Sequence, residues 1–200
     1  MTTTLYLHGF CSHPDSNKGR LLRKAHEEAG IPFIAPALHV GPQKAAGIIL
    51  NSVRGLNPEE LVVIGSSLGG FYATWLTEQL GCRAVLLNPA VSPWTVVGEN
   101  LGKHELRDIG VTIEVFPSHV EELKRMRTLH LKYPNHYLTF LGNEDELLDW
   151  TEGLFFYRDT QVRIVEGADH RFSHFEDLIP EIMRFINRKK PQKQKGQGKR

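Results

Sequence analysis

The sequence is poor in the features that mark secreted, membrane-spanning and disulfide-rich proteins. Its 200 residues include only two cysteines, Cys11 and Cys82, which suggest no disulfide framework. No apolar run approaches the roughly 18 residues that a membrane span needs. The first residues, MTTTLYLHGF, lack the basic and apolar regions of a secretory signal. We therefore expect a cytoplasmic protein without a membrane span.

Sequence patterns for metal and phosphate binding are also missing. The ten histidines include no H-E-x-x-H motif and show no paired ligand spacing. The glycine-rich stretch GSSLGG lacks the Lys-Ser/Thr continuation of a P-loop. We therefore expect that the protein uses neither a metal nor another cofactor.

Charge is unevenly distributed along the chain. Residues 188–200, RKKPQKQKGQGKR, hold seven of the 24 Lys and Arg residues and no acidic residue. The rest of the chain therefore carries 17 bases against 23 acids, a net charge of −6, whereas the whole chain carries +1. Basic tails of this composition are usually disordered. We expect a single domain over residues 1–187, followed by a disordered basic tail with no specific nucleic-acid partner.

Strand and helix patterns alternate along this domain. Alternation of this kind predicts a parallel sheet with helices on both faces. Right-handed crossovers limit the possible topologies, and we expect the strand order 2-1-3-4-5-6. The predicted strands cover residues 4–8, 31–35, 61–65, 84–88 and 136–141, with a sixth inside 161–167.

A glycine-rich turn after the third predicted strand is the strongest candidate for a catalytic site. Residues 62–70 read VVIGSSLGG, and Gly65, Ser67 and Gly69 fit the G-x-S-x-G nucleophile elbow. The elbow needs small residues because a Cβ would clash where the strand turns sharply into a helix. The alternative is a structural turn with a satisfied hydroxyl. The predicted strand order brings this turn beside the loop at 8–12, where open α/β sheets build their sites.

A serine nucleophile needs a base and an orienting acid, which follow a serine elbow in the order acid, then histidine. His170 lies in the loop after the sixth predicted strand, and its alternative role is that of a surface histidine. His174 is its closest competitor. Asp145, in the loop after the fifth strand, is the favoured acid. The competing acids are Glu144, Glu146 and Asp149, of which Asp149 is more typical of a helix cap.

Two backbone N–H groups are predicted to bind the oxyanion that forms when a serine attacks an acyl carbonyl. One belongs to Leu68, directly after the candidate nucleophile, and the other to Phe10 in the loop after the first strand. His8 precedes that loop, and we interpret it as a structural histidine that holds the turn.

Five segments carry a resemblance to a known family: YLHGF, VIGSSLGGFYATWL, NPAVSPW, EDELLDW and EGADHRF. They resemble the YqiA-like bacterial esterases, a small α/β-hydrolase family, over most of residues 4–187. The resemblance implies hydrolysis of small-molecule carboxylic esters or acyl thioesters. It also implies that Ser67 is the nucleophile, Asp145 the acid and His170 the base. The alternatives are a perhydrolase or carbon–carbon hydrolase that uses the same triad, and a hydrolase fold that binds without catalysis.

The less regular stretch at 89–135 lies where hydrolases of this fold insert a cap, and we predict one helix there, near 118–130. Its apolar side chains either roof an acyl pocket or pack against the domain. Trp94 is the predicted substrate contact. The side chains concerned are Trp94, Val96, Val97, Leu101, Val115 and Phe116.

Overall fold

The computed structural model describes residues 1–106 and 108–188, which form eight strands and seven α-helices. The predicted tail, apart from Arg188, lies outside the described residues. The strands are β1 (Thr3–Leu7), β2 (Phe33–Ile34), β3 (Leu61–Ser66), β4 (Arg83–Leu87), β5 (Gly102–Leu106), β6 (Val111–Val115), β7 (Tyr137–Gly142) and β8 (Gln161–Val165). The helices are α1 (Asn17–Ala29), α2 (Pro42–Ser52), α3 (Leu68–Leu80), α4 (Pro93–Glu99), α5 (Pro117–Arg125), α6 (Trp150–Tyr157) and α7 (Ile179–Ile186).

Six of the strands form one parallel sheet in the order β2-β1-β3-β4-β7-β8. The predicted order is confirmed, because β7 and β8 are the fifth and sixth of the predicted strands. Parallel strands end at the same edge of a sheet, so the loops that follow β1, β3, β4, β7 and β8 meet there. The candidate catalytic residues lie in these loops.

Each face of the sheet is covered by its own hydrophobic core. Successive strand side chains point to opposite faces, so Leu5 and Leu7 belong to one core while Tyr6 belongs to the other. Helices α2, α3, α5 and α6 contribute to the first core, and α1 and α7 to the second. Because both faces are covered, every residue of β3 is buried. Within the described ranges, no helix has both the length and the apolar character that crossing a membrane requires.

The connection between β4 and β7 contains more regular structure than its sequence predicted. It forms α4, an antiparallel hairpin of β5 and β6, and α5, which begins close to the predicted helix. The hairpin was not predicted, because the first of its strands, which read GKHEL and VTIEV, has no β-branched or aromatic residue and begins with glycine. Lys103 and Glu105 are exposed, whereas Leu106 is buried, so only alternate side chains of β5 face the protein. Since β4 and β7 pair directly, the whole connection lies outside the sheet.

The start of α3 touches the backbone of neighbouring segments so closely that only glycine fits. A Cβ at Gly69 would lie 2.0 Å from the carbonyl oxygen of Leu7, and a Cβ at Gly65 would lie 2.3 Å from the carbonyl oxygen of Gly69. Real Cβ atoms do not approach backbone atoms to these distances. The glycine spacing of the turn therefore lets helix α3 pack directly against the end of β1.

We expect Gly69→Ala to lower the free energy of unfolding by about 3 kcal/mol, because the new methyl group has no space and the opposing atoms are backbone. Gly47→Ala is the matched control, since Gly47 lies inside α2 with nothing near its missing Cβ. That change should raise stability by about 0.5–1 kcal/mol. Urea unfolding of both variants measures the difference. Equal stability of Gly69→Ala and the wild type would contradict the packing argument.

Candidate active site

Ser67 adopts a backbone conformation that few non-glycine residues tolerate. It follows β3 with φ 55° and ψ −120°. Backbone hydrogen bonds hold it there: its N–H donates to the Leu87 carbonyl at 3.0 Å, and its carbonyl accepts from the N–H groups of Gly70 and Ala90 at 2.8 and 3.1 Å. The strained turn is therefore fixed from α3 and from the segment that follows β4.

Backbone strain of this kind is concentrated at the same edge of the sheet. Four non-glycine residues in the described ranges have positive φ: Cys11, Ser67, Asn88 and Phe172. They lie in the loops that follow β1, β3, β4 and β8, respectively. Strained conformations persist only where the surrounding structure fixes them, and they cluster at functional sites. This edge is thus the favoured place for a site.

Asp145 and His170 are in direct contact. The imidazole Nδ1 lies 2.9 Å from Oδ1 and 2.8 Å from Oδ2 of the carboxylate. The Asp145 side chain is 1% exposed and that of His170 is 12% exposed. Asp145 Oδ1 also accepts the backbone N–H groups of Leu147 and Leu148 at 2.9 and 2.8 Å. The carboxylate is therefore held in place by its own loop and can keep the proton of a neutral imidazole on Nδ1, leaving Nε2 as the basic nitrogen.

The other candidate acids have different partners. Asp149 begins α6 and accepts hydrogen bonds from the Thr151 hydroxyl and N–H, which lower the pKa of its carboxyl. Glu146 Oε2 accepts the backbone N–H of His170 at 2.9 Å, and the backbone N–H of Glu144 donates to the Ala168 carbonyl.

The remaining candidates are His174, the competing histidine, and Ser67, the predicted nucleophile. His174 is exposed. No hydrogen bond joins the Ser67 hydroxyl to His170 within the residues that the structure describes. The structure therefore brings the predicted acid and base together and places the serine at the same sheet edge, without a hydrogen bond between Ser67 and His170.

The loop after β1 lies against the turn that carries Ser67. A Cβ at Gly9 would lie 3.2 Å from the Ser67 Cβ and 3.7 Å from its Oγ, so glycine allows the two backbones to meet. Neither the Phe10 nor the Leu68 amide donates a backbone hydrogen bond in the described part of the chain. Leu68 is the first residue of α3, where helix amides lack intrahelical partners. Both amides are available to an acceptor near Ser67.

His8 holds the loop after β1. Its Nδ1 donates to the Gly9 carbonyl at 2.9 Å, and its Nε2 accepts the N–H of Leu38 at 3.0 Å. In a trans peptide the carbonyl and the N–H point in opposite directions, so this bond turns the Phe10 N–H away from His8. Burial lowers the pKa of His8 to about 4, and nearby His39 and His13 act in the same direction, while the Gly9 carbonyl opposes them. His8 is thus a neutral, structural histidine, as interpreted from the sequence.

A cavity of about 60 Å³ opens beside the Phe10 and Leu68 amides. The loop after β1, residues 38–42, the first turns of α3 and residues of α4, β6 and α5 line it. Its apolar lining includes Leu38, Val40, Tyr72, Val97, Ile113, Val115 and Leu123.

Trp94, the predicted substrate contact, packs on another aromatic ring and does not line the cavity. Its ring packs on Phe71, with centroids 6.4 Å apart, and the Arg127 guanidinium lies 5.5 Å from its centroid. It is not among the side chains that line the cavity.

No group of three or more His, Cys, Asp or Glu side chains in residues 1–106 and 108–188 is arranged to bind a metal ion.

Two residues near His170 carried no signal in the sequence. Lys18 of α1 donates from Nζ to the Arg171 carbonyl at 2.6 Å. Burial lowers the pKa of Lys18 to about 8, although the carboxylates of Asp169 and Asp145 act in the opposite direction. Asn88, which follows β4, contacts the loops of both candidate residues. These contacts link segments far apart in the chain, so spacing could not reveal them.

Comparison with known families gives a match over most of the chain. The model described as "Uncharacterised protein family (UPF0227)" matches residues 3–187. The chain belongs to this family. The resemblance to the YqiA-like proteins is thereby confirmed, and it covers nearly all of the described residues.

Relatives and solved structures give the fold. Alpha/beta hydrolase domain-containing protein 17C of Mus musculus is 27% identical over 153 residues, which are 74% of this chain and 43% of the mouse protein. The chain thus spans less than half the length of the curated relatives that it matches. Est1E from Butyrivibrio proteoclasticus has a TM-score of 0.69 at 16% identity, covering 92% of this chain and 88% of that one. The esterase domain of a Rhodothermus marinus protein gives 0.64 at 18% identity, with the same coverage. The chain has the α/β-hydrolase fold, as predicted.

The buried, neutral state of His8 predicts how stability depends on pH. The unfolded chain keeps a pKa of about 6.5 for this residue, so it binds the proton more tightly than the folded chain. The contribution of His8 is complete above about pH 6.5 and is lost as the pH falls towards 4. The glutamine of His8→Gln does not bind a proton, so the free energy of unfolding of this variant does not change through His8. The amount by which it is less stable than the wild type should therefore shrink by about 2–3 kcal/mol between pH 7.5 and pH 4.5.

Urea unfolding at the two pH values measures this change. His130→Gln is the control, because His130 is exposed, and its difference from the wild type should stay constant. A His8→Gln deficit that is equal at both pH values would show that His8 is not held neutral by burial.

Proposed function

We propose that this chain is a serine hydrolase that cleaves carboxylic esters or acyl thioesters. The observation that carries the proposal is the contact of His170 Nδ1 with the Asp145 carboxylate, at the sheet edge where Ser67 has a strained backbone. The α/β-hydrolase fold and the likeness to hydrolase-domain proteins and to an esterase domain support it.

In the first half of the reaction, the Ser67 hydroxyl attacks the acyl carbonyl carbon. His170 Nε2 accepts the hydroxyl proton, and Asp145 stabilises the resulting imidazolium through Nδ1. The carbonyl oxygen becomes an oxyanion, which accepts hydrogen bonds from the Phe10 and Leu68 amides. His170 then returns the proton to the departing alcohol or thiol as its bond to the acyl carbon breaks, and an acyl-serine remains.

In the second half, water attacks the acyl-serine. His170 takes a proton from the water, and the same two amides stabilise the second oxyanion. Collapse of this intermediate releases the carboxylic acid and returns the proton to Ser67. Both halves require a His170 Nε2 that is free to accept a proton. The imidazole and the serine hydroxyl must come within hydrogen-bonding distance when substrate binds, a contact that often tightens only in the complex.

The cavity beside the two amides is the proposed site of the acyl group. Its apolar lining suits a hydrocarbon chain, and the carbonyl oxygen of a bound acyl group would lie next to Phe10 and Leu68. We assign to α4, β6 and α5 the role of a small cap, since their residues line part of this cavity. Trp94 packs on Phe71 and would act on substrate only indirectly, through the position of α4.

The test of this function is covalent labelling. A fluorophosphonate reagent should label the wild type on Ser67, and p-nitrophenyl esters should be hydrolysed. Ser67→Ala should abolish labelling and lower kcat/KM by at least about 10³-fold. Ser66→Ala is the matched control on the adjacent hydroxyl. Hydrolysis that survives Ser67→Ala, or a wild type that neither labels nor turns over, would overturn the proposal and favour another mechanism or a binding role.

The identity of the acid is tested by two neighbouring substitutions. Asp145→Asn should keep the fold but lower kcat by up to about 10⁴-fold, because an amide cannot hold the imidazole in the required tautomer. Asp149→Asn keeps an oxygen that can cap α6, so turnover should stay within about twofold of the wild type. kcat and melting temperature should be measured for both. Loss of activity in a folded Asp149→Asn protein, with Asp145→Asn still active, would assign the acid to Asp149.

A further inference from the structure

Asn88 occupies an unusual position at the end of β4. It is 2% exposed, and its backbone has φ 43°. Asparagine is among the few non-glycine residues that tolerate this left-handed region. A buried polar side chain in a strained conformation needs good hydrogen bonds to persist, so its partners indicate why it is there.

The amide group of Asn88 joins the two loops that carry Asp145 and His170. Nδ2 donates to the carbonyls of Asp169 and His170 at 3.1 and 3.2 Å. Oδ1 accepts the N–H of Gly142, where β7 ends, at 2.7 Å. An asparagine side chain offers two N–H donors and one carbonyl acceptor, and here the donors face one loop while the acceptor faces the other.

The same segment is also bonded to the serine turn. The Ser67 N–H donates to the Leu87 carbonyl, and the Ser67 carbonyl accepts from the Ala90 N–H. Asn88 therefore lies between two residues that fix the Ser67 backbone. Its side chain extends from that point to the backbone of His170 and to the end of the strand that precedes Asp145.

Little space is available for these loops to move against each other. A Cβ at Gly142 would lie 2.4 Å from the Ala168 carbonyl oxygen, so the end of β7 touches the histidine loop directly. The Asp145 N–H donates to the Gly142 carbonyl at 3.4 Å, and the Glu144 N–H donates to the Ala168 carbonyl at 3.1 Å. A displacement of Gly142 would therefore also displace the loops that carry Asp145 and His170.

We propose that Asn88 is a positioning residue that fixes the His170–Asp145 pair relative to Ser67. This role rests on the proposed function, since it concerns the alignment of the same reaction. Asn88 does not touch the reacting atoms. It acts through the carbonyl of His170 and the amide of Gly142, and misplacement of a reacting group by about 1 Å lowers turnover by about 10²-fold.

Two substitutions separate positioning from folding. Asn88→Gly removes the whole side chain while tolerating the positive φ. Asn88→Asp keeps an acceptor for the Gly142 N–H but loses the donors to the histidine loop. Both should lower kcat for a p-nitrophenyl ester by about 10–100-fold, with KM within about threefold of the wild type. Turnover is expressed per site labelled by fluorophosphonate, so that inactive protein is not counted.

The control is Tyr137→Phe, which removes a buried hydrogen bond to Glu78 of 2.6 Å at the opposite end of β7. It should lower the melting temperature yet leave kcat per labelled site within about twofold. Folded Asn88 variants with wild-type kcat per site would overturn the positioning role while the proposed function stands. So would loss of the folded state in both variants, since Asn88 would then be a folding residue. A wild type that neither labels nor hydrolyses esters would instead refute the proposed function, and this role with it.

Discussion

The contact between the start of α3 and the end of β1 is the constraint on which the rest of the site depends. Gly69 meets the Leu7 carbonyl at a distance that excludes any side chain, and Gly9 lies against Ser67 in a looser contact, with 3.2 Å between its missing Cβ and the Ser67 Cβ. These contacts bring the loop that carries Phe10 against the turn that carries Leu68, and neither of these two amides donates a backbone hydrogen bond within the described residues. The other candidate residues lie in loops that follow other strands, and they can lie close to Ser67 because parallel strands end at the same edge of the sheet.

The conformation at this edge has a cost that the remainder of the domain must offset. Each strained backbone position costs on the order of 1–3 kcal/mol, and four such positions lie in the loops after β1, β3, β4 and β8. Two extensive hydrophobic cores, one on each sheet face, supply the opposing stabilisation. Hydrogen bonds then determine which conformation is kept: His8 fixes the Gly9 peptide, and residues on both sides of Asn88 fix Ser67.

The sequence was informative where a structural requirement is local. The order of the sheet and the position of Ser67 were readable because buried β-branched runs and the spacing of Gly65 and Gly69 occur within a few residues. The hairpin of β5 and β6 was missed: VTIEV alternates apolar and polar residues as a half-buried strand does, but its partner GKHEL begins with glycine and has no β-branched or aromatic residue. Asn88 could not be recognised as a link between loops, since its partners lie 54 and 81–82 residues away along the chain. Sequence also could not tell which way the Trp94 ring faces, and it packs on Phe71.

The direct pairing of β4 with β7 has a consequence for how proteins of this fold diversify. The intervening residues 88–136 leave the sheet and return to an adjacent strand, so their length does not alter the register of any strand pair. Their ends are held by the bonds around Asn88 and by the first residue of β7, and between these ends Val97, Val115 and Leu123 pack into the core on one face of the sheet. A surface segment of this kind tolerates insertions and deletions, while the strands beneath it keep their pairing.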